Sequence, residues 1–445
     1  MSYTVKNGII KSEEGLPWSP RWFCDNRTAV QVDNEQICEI DYFSKNTSGR
    51  YIIFRPRFWK GLKFYFINNR KREIITPSNC EIHPFGFASK GDVCNYEMYV
   101  ANESIYFVFT PKNDGELEMQ FYEEYLFKPD DSSYPDIRLR GEKRTWTDIK
   151  ENKGVIIFSF FENENEIPIK ISSNAKLSVD VVSDYKKYII KNKELKKGKE
   201  TVICLSFNSS DTQNYQKIIK LQKERYRTVI EKAPILNSQH KLLNQFFELA
   251  PLYHESLKTT DVPGGIRAQS THYWIWGWDS MTSINSCFYW GDKDFIGDML
   301  NCFMKYSDES GIAHGFTRDM KCEWTAPAPA QGMYLTMLDN YRLAGGEIKK
   351  YYLFAKKIFE IICDTEVENT GLCKGTSLYP DFRNLIGENE NDISTFNNTV
   401  SYCAIKAMER LAKAQNDAET EKTAKEFANR MKTNFEKVLY NESLS

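Results

Sequence analysis

The sequence predicts an antiparallel β-sandwich followed, through one helix, by an all-α domain. Residues 1 to about 210 form short runs rich in Tyr, Phe, Ile and Val that often alternate with polar residues. From residue 211 the apolar spacing becomes helical. Between the two halves, "DTQNYQKIIKLQKERYRTVIEKA" is polar, lysine-rich and ended by Pro234, which suits a connector.

In the first half, "QICEIDYF", "GRYIIFRPRFW", "LKFYFIN", "EMYVANESIYFVFTP", "ELEMQFYEEYLF", "GVIIFSFFE", "KLSVDVVSDYKKYII" and "TVICLSFN" read as strands. Turn clusters such as "PKNDGE" and "KPDDSSYPD" separate them. Many short strands without helical periodicity make a sandwich over residues 1–210. A helical linker then covers 211–235, and a helical domain runs from 236 to 445.

Helices are expected over 238–257, 279–290, 292–305, 328–344, 347–364, 396–415 and 418–438. In "TVSYCAIKAMERLAKA", Val400, Cys403, Ala404, Ala407, Met408 and Leu411 share one helical face. Ser394 or Thr395 supplies its cap.

Composition narrows the function. With 59 Lys+Arg against 61 Asp+Glu the net charge is −2, which leaves no basic footprint for nucleic acid. No apolar run approaches the ~20 residues of a membrane span, and the N-terminus lacks the basic-then-apolar pattern of a secretory signal. The 11 cysteines include no C-x-x-C pair and lie in apolar surroundings, so they read as buried thiols of a cytoplasmic protein. The 5 histidines are not at metal-ligand spacing, so no metal or other cofactor is expected.

The segment "PGGIRAQSTHYWIWGWDSM" concentrates chemistry. Pro263, Gly264 and Gly265 permit a sharp turn, and Arg267 follows as a fork-shaped donor. Trp274, Trp276 and Trp278 alternate, so an extended backbone points all three one way. Asp279 either accepts two hydroxyls or caps the helix that begins there. Indole faces pack on the apolar faces of sugar rings, while carboxylates and guanidiniums bond the hydroxyls. A single tryptophan is more simply a core filler; three beside an arginine and an aspartate favour a sugar site.

This segment resembles the signature of trehalases and the matching stretch of glycoside hydrolase family 63, including its mannosylglycerate-hydrolase-like bacterial members. Ile266 stands between the glycines and Arg267, and "WIWGWDS" replaces a tyrosine-rich version, which favours the family 63-like group. The resemblance implies an (α/α)6 toroid of six helical hairpins preceded by a β-sandwich, with the Trp-Asp pair lining the subsite whose bond is cut. It also implies an oligosaccharide or small glycoside as substrate. "GIAHGFTRDMKCEWTAPAPAQGMYLTML" is similar to the family's second-hairpin pattern and brings in Trp324, Pro327, Pro329 and Gln331, of which the resemblance implies Trp324 and Gln331 as substrate-binding residues. "TGLCKGTSLYPDFRNLIGENENDISTFNNTVSYCAIKAM" resembles the segment that carries the general acid, with Asp381 on the catalytic aspartate. Tyr379 and Pro380 replace the family's Gly-Trp or Gly-Met, and Pro380 keeps Asp381 in a loop. Taken alone, Asp381 would read as a loop aspartate closing a turn.

Inverting hydrolysis needs an acid to protonate the leaving oxygen and a second carboxylate, about 6.5–9.5 Å away, to activate water. Burial against Tyr379 and Phe382 would raise the acid's pKa. In the resembling families the base comes from late in the barrel, and no residue here matches it; Glu323 and Glu388 are the nearby carboxylates. With about seven helices after residue 238 against the twelve of a toroid, the chain reads as the first part of a barrel. Such a piece should be poorly soluble and inactive alone. The alternatives are a carbohydrate-binding remnant, or a phosphorylase, epimerase or lyase on the same toroid; a lyase would draw its base from a group such as His272 or His314.

Overall fold

The computed structural model describes residues 3–25, 27–43, 50–54, 61–122, 145–146, 150–152, 155–162, 165–182, 187–207, 212, 214–268, 274–289, 291–317, 321, 328–375 and 392–440. The chain divides into two units: residues 1–257 with 269–273, and residues 258–268 with 274–445.

The first unit is built on antiparallel sheets. The largest has 11 strands, with Cys94–Ala101, Ser104–Pro111 and Thr201–Ser206 side by side near its middle. Its central strand "SIYFVFTP" is buried at nearly every position, as a strand covered on both faces must be. A 5-stranded sheet centres on Gly115–Tyr122, and a 4-stranded sheet runs from Arg21–Asp25 to Arg50–Phe54. Aromatic rings join the layers. Phe64 of the 5-stranded sheet lies 4.9 Å from both Phe107 and Phe109 of the largest sheet, and Phe23 of the 4-stranded sheet lies 5.7 Å from Phe87. An antiparallel β-sheet domain is what the alternating runs predict.

Two helices complete this unit: α1 (Tyr215–Lys232) and α2 (Lys241–Leu257). Helix α1 ends just before Pro234, as its sequence requires. Arg225 on α1 binds Glu255 on α2 (Nε–Oε1, 2.7 Å) and Asp25 on the sheet (Nη1–Oδ1, 3.2 Å). Both α1 and α2 pack with the sheets, and the first compact unit runs through Leu257.

The second unit holds three consecutive helix pairs among the described residues. They are α3 (Gly277–Tyr289) with α4 (Lys293–Tyr306), α5 (Ala328–Leu343) with α6 (Tyr352–Cys363), and α7 (Thr395–Ala414) with α8 (Ala418–Leu439). Helix α5 is buried along most of its length and packs against α3, α4, α6 and α7, the position of an inner helix. Its Asp339 is 1% exposed and binds Arg342 (Oδ1–Nη2, 2.8 Å) and Arg410 of α7 (Oδ2–Nε, 2.7 Å). Ser394 caps α7, its hydroxyl accepting from the Asn397 N–H at 3.1 Å. Ala404, Ala407, Met408 and Leu411 are buried as their spacing predicts, whereas Cys403 is exposed and Ile405 takes the buried place beside Ala404. No helix among the described residues is long and apolar enough to cross a membrane.

Candidate functional site

The turn expected at "PGGIR" forms as a tight loop. The Gly265 N–H donates to the Val262 carbonyl (2.8 Å), and Thr259 donates from its N–H (3.0 Å) and its hydroxyl (3.3 Å) to the Gly265 carbonyl. Gly264 has φ +79°, and a Cβ there would stand 2.2 Å from the Asp298 carbonyl oxygen on α4. Gly265 is pressed as closely against Ile275. The loop is thus fixed between α4 and the start of the tryptophan segment. Ser280 secures its far end by donating to the Ile266 carbonyl at 2.9 Å, which sets Arg267 beside the first turn of α3. Arg267 is 1% exposed, so its guanidinium lies beneath the surface and not on an open wall.

The three tryptophans divide two and one. Ile275–Trp276 is a short strand paired with Gly315–Phe316, and Trp274 stacks on Trp276 with centroids 5.8 Å apart and planes 24° from parallel. Extended backbone ends there. The Gly277 N–H donates to the His314 carbonyl (2.9 Å) and α3 begins, so Trp278 stands on the helix and not on the strand. The alternation therefore fails at the third ring because two residues of strand run straight into a helix. Trp278 instead meets Phe396, in the first turn of α7, at 5.3 Å and 67°.

Asp279 lies in the first turn of α3, where a carboxylate is favoured by the helix dipole. It is open to solvent but crowded by protein, and this loss of surrounding water raises its pKa above the ordinary aspartate range. The hydrogen bond from its own backbone N–H works in the opposite direction.

Gln331 is 1% exposed and clamps the 310–312 loop. Its Oε1 accepts from the Ile312 N–H (3.0 Å), and its Nε2 donates to the carbonyls of Ser310 (3.3 Å) and Ile312 (3.4 Å). It therefore bears on the site through that loop, which continues into the strand beneath Trp276. Pro329 sits in the first turn of α5, where a missing N–H costs nothing. Trp324, Asp381, Glu323, Glu388, His272, Pro327, Tyr379, Pro380 and Phe382 lie outside the described residues.

The residues flanking 376–391 are held firmly. The Gly375 N–H donates to the Asp392 carbonyl at 3.0 Å. Asn397 donates to the Gly375 carbonyl at 2.6 Å. Asn398, fully buried, accepts from the Cys373 N–H (2.7 Å) and donates to the carbonyls of Cys373 and Ser394 (both 2.9 Å). Both ends of the segment that contains Asp381 are thus fastened at the start of α7, within a few residues of Phe396 and its contact with Trp278. Asn398→Ala strands a buried N–H and a buried C=O, so it should cost about 2–3 kcal/mol. Urea denaturation would measure this.

The sequence marks His314 only as a base for the lyase alternative and does not mark the Asn397–Asn398 pair, for which the doubled asparagine at a helix start is the available signal. The imidazole of His314 stands 5.2 Å from the Trp276 ring, at 70°. Burial lowers its pKa from 6.5 to about 4. Between those values the unfolded chain holds a proton that the folded chain does not. This contribution to stability is therefore complete above pH 6.5 and lost as pH falls toward 4, by at most about 3 kcal/mol. His314→Gln should flatten that part of a plot of Tm against pH.

Among the described residues no group of three His, Cys, Asp or Glu side chains is placed to hold a metal ion. No protein-family model and no curated protein matches the sequence. Solved structures do match in fold. A bacterial glucoamylase complexed with acarbose aligns with a TM-score of 0.60 at 12% identity, over 96% of this chain and 70% of its own. A candidate kojibiose phosphorylase from the human microbiome aligns at 0.52 and 9%, over 96% and 70%. An inverting mannosidase of family GH92 from Bacteroides thetaiotaomicron aligns at 0.51 and 9%, over 92% and 61%. The chain shares with these carbohydrate-active enzymes a fold in which a β-sheet domain precedes a helical one.

Proposed function

We propose that the protein is an inverting glycosidase of the six-hairpin class, acting on an α-linked glucoside or mannoside. Trp276 and Trp278 pack on sugar faces, Asp279 accepts ring hydroxyls and Trp324 completes the subsite, while Arg267, buried beneath the loop, supports it from behind. Asp381 is the general acid, and Gln331 holds the loop beneath Trp276. No base is assigned. The observation that carries this reading is the Gly375–Asp392 closure at the start of α7, beside the Phe396–Trp278 contact. It supports this reading because the two residues that flank the segment containing Asp381 are fastened within a few residues of that contact.

The likeness to a candidate phosphorylase favours a second reading on the same fold, in which inorganic phosphate replaces water as the attacking group. One experiment separates the two. Trehalose, mannosylglycerate, glucosylglycerate and malto- or gluco-oligosaccharides are incubated with and without phosphate, and the first product anomer is followed by NMR. A β-anomer released without phosphate supports the inverting hydrolase. With mannosylglycerate or glucosylglycerate, whose single sugar is the one attacked, an α-anomer contradicts inversion, whereas trehalose gives one α- and one β-glucose under inversion; absolute dependence on phosphate transfers the reading to a phosphorylase.

A further inference from the structure

The β-sheet unit carries a buried cation that no acid answers. Arg21 opens the strand Arg21–Asp25 and is 7% exposed. Among the described residues nothing hydrogen-bonds its guanidinium and no carboxylate pairs with it. Only its Nε is both enclosed and without a partner, so the two Nη atoms reach solvent. Its neighbours are rings. The guanidinium carbon stands 5.5 Å from the ring centres of Trp18 and Tyr253 and 5.9 Å from that of Phe23. Ring faces attract a cation but offer its N–H groups no oxygen. Burial lowers the pKa of Arg21 from 12.5 to about 10, so the group stays charged at neutral pH.

Trp18 is the open side of this cluster. It stands against Tyr3, with ring centroids 4.6 Å apart and planes at 66°, and it is 54% exposed. Its φ is +57°, a left-handed backbone that an L-residue adopts at a cost. Half-exposed, the indole recovers little of that cost by burial. Tyr3, Trp18, Arg21, Phe23 and Tyr253 all belong to the first unit.

We propose that Arg21 and Trp18 form an ancillary binding site for an anionic pyranose, the guanidinium pairing with a carboxylate or phosphate and the indole packing on the ring that carries it. The fork of a guanidinium matches two oxygens of either anion. The apolar face of a pyranose suits an indole. A neutral sugar would leave the buried charge unanswered, and a free inorganic anion would leave the indole bare. The choice of a sugar rests on the carbohydrate reading above; the choice of an anion rests on Arg21 itself.

The test is calorimetric titration of the full chain with glucuronate, glucose 6-phosphate and glucose. At least one of the two anionic sugars should bind more tightly than glucose, and the tighter of the two identifies the anion as carboxylate or phosphate. Arg21→Met should weaken that binding by about ten- to hundredfold, the effect of a charge-assisted pair. Its Tm should not fall, because an unpaired buried charge is replaced by an apolar chain of similar length. Trp18→Ala should weaken binding by about three- to tenfold. Anionic sugars that bind no more tightly than glucose overturn the inference, as does wild-type affinity in Arg21→Met. A lower Tm of Arg21→Met with unchanged affinity would make Arg21 a structural residue only. Should Arg21→Met fail to fold, Trp18→Ala decides, since its ring is exposed, and wild-type affinity there overturns the inference. None of these results bears on the glycosidase reading, which stands or falls on turnover of the glycosides named above.

Discussion

Asp381→Asn should lower turnover by about 10²–10⁴-fold, the usual contribution of a general acid, while sugar affinity stays close to that of the wild type. Asparagine keeps the size and polarity of the side chain but has no proton to deliver to the leaving oxygen. The loss therefore falls on kcat and not on binding. A substrate whose leaving group needs no protonation, such as a dinitrophenyl or fluoride glycoside, should recover much of the rate. Full activity of Asp381→Asn on an ordinary glycoside would refute the assignment of the acid, and a parallel loss of affinity would point to a structural role for Asp381.

Gly264→Ala should destabilise the helical unit by about 2–5 kcal/mol and abolish sugar binding. Two costs combine at this position. An L-residue at φ +79° is strained by about 1–2 kcal/mol, and the added Cβ meets the Asp298 carbonyl at 2.2 Å, a backbone atom that can yield only if the loop lifts from α4. Lifting the loop displaces Ile266, its bond to Ser280, and Arg267 behind it. Gly345→Ala is the control, because Gly345 has the same φ of +79° and nothing within 4 Å of the added carbon. It should show the dihedral cost alone. Equal losses in the two variants, measured by urea denaturation, would show that the approach to α4 contributes nothing.

Local pattern made much of this fold legible. Alternating aromatic runs marked the strands that meet through Phe64, Phe107 and Phe109, and helical spacing marked Ala404, Ala407, Met408 and Leu411. Pro234 and Ser394 ended and opened helices where backbone chemistry requires. The glycines of "PGGIR" were read as a turn, and they form one. What was not legible depends on contacts between distant segments. Nothing local to Trp278 foretells Phe396, and nothing local to Arg267 reveals that the loop buries it. The resembling motif marks Gln331, but nothing local to it shows that its amide bonds the Ser310 and Ile312 backbone. The alternation of tryptophans implied one shared face because extended backbone was carried past Gly277, where the chain turns helical. Cys403 is exposed because a six-residue spacing does not fix the centre of a buried face to within one position.

The most direct test of the account is a crystal structure of the chain soaked with an α-linked disaccharide. The account predicts a pyranose against Trp276 and Trp278, with Asp279 bonded to its hydroxyls and an Asp381 oxygen within hydrogen-bond distance of the glycosidic oxygen. A sugar bound elsewhere, or an Asp381 carboxyl directed away from Trp278 and Asp279, would contradict it.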